Sequence, residues 1–111
     1  MNLNKKIVDI LIITNESIDE KLLNEFNYLI VNDFKFTSYF EGIANNEAIQ
    51  FDYLIISEKI VKNVITEDGF IITNESFETS FDNYFAIGKV IKNNKSINDQ
   101  LDIIINHIKG N

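Results

Sequence analysis

Seven residues near the N-terminus, Ile7-Val8-Asp9-Ile10-Leu11-Ile12-Ile13, constrain the fold more than any other stretch of this chain. The run is aliphatic apart from Asp9, mostly β-branched, and lacks the polar-apolar alternation of a strand with one wet face. It predicts a strand covered on both sides, the condition of strands inside parallel sheets. Thr14-Asn15-Glu16 then turns the chain, and Ser17 with Glu20 has the spacing of a capping box ahead of a short helix through Phe26. Tyr28 to Val31 reads as a second strand.

Phe34 to Phe40 does alternate with period two, and predicts a strand exposed on one face. Gly42 to Glu47 interrupts it and Ile49 to Ile56 resumes, so 34–56 reads as a hairpin or meander. Glu58 to Ile65 is a weak helix or irregular crossover, and Glu67-Asp68-Gly69 a turn. Strands are expected over Phe70–Thr73 and Tyr84–Ile87, with a loop over 74–83 between them. Ser96 and Asp99 cap the strongest helix, over 97–108, where Ile97, Leu101, Ile104, Ile105 and Ile108 form one stripe. The expected fold class is α/β: Rossmann-like parallel strands, a meander over 34–56 and a C-terminal helix. One domain is the default for 111 residues.

Composition narrows the partners. A net charge of −7 argues against a phosphate backbone as ligand, and all the cations are Lys, without the planar fork of Arg. No apolar run approaches the length of a membrane span. Without cysteine the chain has no disulfide, no redox dithiol and no thiolate metal site. A cytoplasmic setting follows as an expectation, since no small-residue cleavage site follows the N-terminal lysines. His107, the sole histidine, has no second ligand near it in sequence, so no metal site is expected.

The stretch Gly69-Phe70-Ile71-Ile72-Thr73, the pair Thr79-Ser80 and the strand Tyr84-Phe85-Ala86-Ile87-Gly88 together resemble the C-terminal portion of thioredoxin-reductase-type pyridine nucleotide-disulfide oxidoreductases. On that resemblance, residues 1–57 correspond to the second half of the nucleotide-binding domain. Residues 58–111 correspond to the returning segment of the flavin-binding domain. The resemblance further implies that Gly88, Lys89 and Gln100 stand where the family contacts its flavin. The family writes Gly-Asp after that last strand; this chain has Gly88-Lys89. It also lacks the family's Cys-x-x-Cys, and its glycines, at 42, 69, 88 and 110, form no Gly-x-Gly-x-x-Gly phosphate turn.

The expectation is therefore a non-catalytic remnant with no cofactor, serving as an assembly or interaction module through a homo-oligomer or another protein partner. A separately encoded half of such an enzyme would be one such partner. Phe77 and Phe81 sit in a loop where polar residues are normal, and either cap the core or form a contact surface. Lys89 is either a new anion-binding residue or a solvated member of the Lys89/Lys92/Lys95 cluster. Two other readings compete. One is an oxidoreductase binding FAD or NADPH in a reduced site. The other is a flavodoxin-like or pseudo-receiver binding module, which requires a helix over 37–48 and has Ser57 where a receiver carries its phosphoacceptor Asp.

Overall fold

The computed structural model describes residues 4–110. Its elements run β1 (Lys5–Ile13), a single 3-10 turn (Glu20–Leu23), β2 (Tyr28–Val31), β3 (Lys35–Ser38), β4 (Glu41–Ala44) and β5 (Glu47–Ile56). A two-stranded ribbon of β6 (Thr66–Glu67) and β7 (Phe70–Ile71) follows, then β8 (Tyr84–Ala86), a second 3-10 turn (Gly88–Val90) and α1 (Ile97–Lys109). The main sheet has the order β2-β1-β5-β4-β3, with β8 also paired to β5. It is a mixed α/β architecture, as expected.

β5 organises this sheet. Along one side it pairs parallel with β1 over its whole length, from Lys5↔Ala48 to Ile13↔Ile56. Along the other side its first half pairs antiparallel with β4 and its last residues, Leu54–Ile56, pair parallel with β8. The β4–β5 turn is Asn45-Asn46 and the β6–β7 turn Asp68-Gly69, and all four residues have positive φ. Such two-residue turns match the right-handed twist of the flanking strands, and Asn, Asp and Gly are the residues that tolerate them.

Four consecutive residues of β1, Ile10 to Ile13, are buried, as are Leu54 to Ile56 of β5 and Tyr84 to Ala86 of β8. Consecutive burial means that both faces are covered, as the unbroken aliphatic run predicts. α1 contributes Leu101, Ile104, Ile105 and Ile108 to the core, and its Ser96 cap accepts from the Asp99 amide. The His107 ring meets Phe85 edge-on at 5.9 Å, and its Nδ1 lies 3.1 Å from Ser76 Oγ.

Two expectations need correction, and one competing reading falls. Residues 17–26 are not a helix but one 3-10 turn, and the cap is Asp19, whose side chain accepts from the Lys21 amide. The Asp19 amide is itself drawn to Asn98 Oδ1 on α1 at 2.8 Å, a tertiary tie that Ser17 does not make. The strand expected over 70–73 stops at Ile71. The meander expected over 34–56 is present as β3, β4 and β5, so 37–48 is not the helix that the receiver-like reading requires, and that reading falls.

Candidate functional site

In open α/β sheets, ligands bind where neighbouring parallel strands lead off in opposite directions, beyond their C-terminal ends. Here that point lies between β1 and β5, since β2 flanks β1 on the other side. The residues there are joined to one another. Thr14 and Ser57, both buried, bond hydroxyl to hydroxyl at 2.5 Å across the two strand ends, and the Glu16 amide donates to Thr14 Oγ1. Just outside, Asn15 Nδ2 donates to Glu58 Oε1 at 2.8 Å, and Lys89 Nζ stands 3.1 Å from Glu58 Oε2. The Asn15 hydrogen bond, with Lys89 second, holds the Glu58 carboxyl below the usual range.

The three residues mapped onto a flavin contact meet at the start of the second 3-10 turn. Gly88 has φ +72°, and a Cβ there would stand 3.3 Å from Ile97 Cδ1. Its amide donates to Gln100 Oε1 at 2.7 Å. The Gln100 amide nitrogen donates in turn to the Lys95 carbonyl at 3.0 Å and to Asn93 Oδ1 at 3.4 Å. Gln100 is only 1% exposed. So Gly88 and Gln100 lie together and are bonded to each other. Lys89 points instead to Glu58.

Of the two loop aromatics, Phe77 belongs to the core rather than to a surface. It is 4% exposed and takes φ +65°, a conformation unusual for a bulky residue. The backbone around it fixes this conformation: its carbonyl accepts from the Ala86 amide, and Asn74 accepts from the amides of Ser76, Phe77 and Glu78. Phe81 is half-buried and reaches a different place.

That place is an open groove of about 500 Å³. One wall is the 34–39 segment, with Phe34 and Phe36; the other is Ile60 and Val61 from the crossover, and Phe81 and Tyr84 also line it. Tyr39 and Tyr84 stack at 4.5 Å with only 12° between their planes, and Phe81 meets both edge-on. Both hydroxyls are spent internally: Tyr39 donates to the Asp82 carbonyl at 2.6 Å and Tyr84 donates to the Tyr39 carbonyl. Burial pushes the Tyr84 phenol up to about 12, with Tyr39 adding to the rise, and burial also raises Tyr39, followed by Asp82 and Glu78. The 34–39 and 81–84 stretches are visibly aromatic in sequence and 60–61 is aliphatic, yet nothing local announces that the three converge.

No family model matches this chain, and no curated protein matches it. Among solved structures it is similar to a ferredoxin-flavin thioredoxin reductase from Clostridium acetobutylicum, at 16% identity over 96% of this chain, with a TM-score of 0.39. The match takes in 50% of that enzyme's chain, so this chain spans about half its length. The likeness is distant. Among the described residues no helix is long and apolar enough to cross a membrane.

Proposed function

We propose that this chain is a non-catalytic, cytoplasmic module of thioredoxin-reductase-like descent whose role is assembly, beginning with pairing to a second copy of itself through β2. The observation that carries the reading is the contrast between the two outer strands of the sheet. β3 carries Lys35 and an irregular register between Phe36 and Ser38, both features that discourage edge pairing. β2 is Tyr28-Leu29-Ile30-Val31, with no charge, proline or irregularity in its register, and it pairs only with β1. The Asn27 and Val31 carbonyls accept from β1 at Asp9, Ile10 and Thr14. By strand alternation the backbone groups of Tyr28 and Ile30 point away from the sheet. Ile7, 62% exposed, lies beside this edge, where Asn27 Nδ2 donates to its carbonyl. Two such edges related by a twofold axis are self-complementary.

The non-catalytic part of the reading is supported by the engagement of Gln100 with Gly88 and of Lys89 with Glu58, and by the missing glycine turns and dithiol. Light scattering with size exclusion tests the assembly at micromolar concentration: a dimer is expected, and Ile7→Lys, an exposed change beside the β2 edge, should shift it to monomer with its circular dichroism unchanged. Hydrogen exchange at the Tyr28 and Ile30 amides should slow with protein concentration. A wild-type monomer with fast exchange at both amides refutes pairing through β2. A separately encoded reductase half is the competing occupant of the same edge, and it would show as a heterodimer with the homodimer absent.

A further inference from the structure

We infer that the groove between β3 and the crossover is a binding site for a small planar aromatic acid. Its size falls in the range of small-molecule sites, on the order of 300–1,000 Å³, and its lining has their character, mostly apolar with few polar groups. The rings are held in place before any ligand arrives. Tyr39 and Tyr84 are stacked on each other, and each hydroxyl is bonded to a backbone carbonyl, so neither has to reorganise. Phe36 and Phe81 complete an aromatic surface on which a flat ring can lie, face or edge.

The lysines that line the groove suggest the class of ligand. The chain carries 17 acidic residues against 10 lysines, yet the charged residues lining the groove are Lys35 and Lys62, with no carboxylate among them. The ion pairs of the described residues use Lys5, Lys89 and Lys109, and leave Lys35 and Lys62 without an acidic partner. Two lysines without an acidic partner lining an aromatic groove, on a strongly acidic protein, complement a flat ring bearing one carboxylate. Because β3 lies at the opposite end of the sheet from β2, this site is independent of the proposed pairing edge.

Titration calorimetry of the whole chain with 2-naphthoate tests the assignment, with 2-naphthamide and cyclohexanecarboxylate as comparators. One molecule of naphthoate per chain is expected to bind, with Kd on the order of 0.1 mM for a ligand of this size. The neutral amide and the non-aromatic acid should each bind about tenfold more weakly, as two partly exposed ion contacts or the loss of ring stacking imply. Lys35→Ala/Lys62→Ala, two exposed changes that leave the core alone, should bring naphthoate to the level of the amide. Amide shifts on binding should map to 34–39, 60–62 and 81–84. Three results overturn the proposal: no saturable binding at millimolar naphthoate, equal binding of acid and amide, or shifts centred elsewhere.

Discussion

Replacing Gln100 with leucine tests whether this buried side chain is a structural tie. The side chain is buried and makes three hydrogen bonds, from the Gly88 amide and to the Lys95 carbonyl and Asn93 Oδ1. Leucine conserves volume and removes all three. Asn93 and Lys95 are exposed and recover water, so the cost falls chiefly on the half-buried Gly88 amide. An orphaned buried donor costs about 1–3 kcal/mol, and with a smaller share from Lys95 the expected loss is ~2–3 kcal/mol. For a domain of this size that lowers Tm by roughly 10 °C.

Gln100→Glu separates the two ends of the amide. It keeps an acceptor for Gly88 but sets a carboxylate oxygen against the Lys95 carbonyl. Burial raises the folded pKa of such a carboxyl, so the destabilisation is present above that pKa and is relieved as pH falls through it. Urea unfolding followed by circular dichroism, at neutral and mildly acid pH, reads both variants. If Gln100→Leu changes stability by less than about 0.5 kcal/mol, the side chain does not secure the Gly88 turn, and it is free for another role.

Two further predictions follow from geometry. A Cβ at Gly42 would lie 2.3 Å from the Lys35 carbonyl oxygen and 2.4 Å from the Phe34 ring, so Gly42→Ala should destabilise by ~1–3 kcal/mol and loosen β3 from β4; an unchanged urea midpoint contradicts that packing. The Tyr84 phenol is raised from 10.0 to about 12 in the folded chain, so its contribution is complete below pH 10.0 and drains away as pH rises from there toward 12. Alkaline unfolding curves should show this slope in the wild type and a shallower one in Tyr84→Phe, and identical slopes would remove the effect.

Several elements were legible because their signals are local. The unbroken aliphatic run of β1, the period-two alternation that becomes β3, and the stripe and Ser96 cap of α1 each concern neighbours within a few residues. The same locality produced the errors. Ser17 and Glu20 have capping-box spacing, but the turn is anchored by Asp19 through Asn98, which is 79 positions away. Phe77 looks exposed because polar residues surround it, and is buried because Asn74 and Ala86 hold its backbone in a left-handed turn.

Sequence alone determined that this chain builds covered parallel strands, a meander and one amphipathic helix, because periodicity and capping are settled within a turn or a few residues of strand. It also determined that the glycine turns and dithiol of the resembling flavoproteins are absent. Only the tertiary structure decided that Gln100 closes on Gly88, that β5 divides one side between β4 and β8, and that two aromatic stretches and one aliphatic stretch wall a groove that Lys35 and Lys62 also line. These depend on strand register and chain path between residues tens of positions apart, and no local pattern encodes which distant side chains will meet.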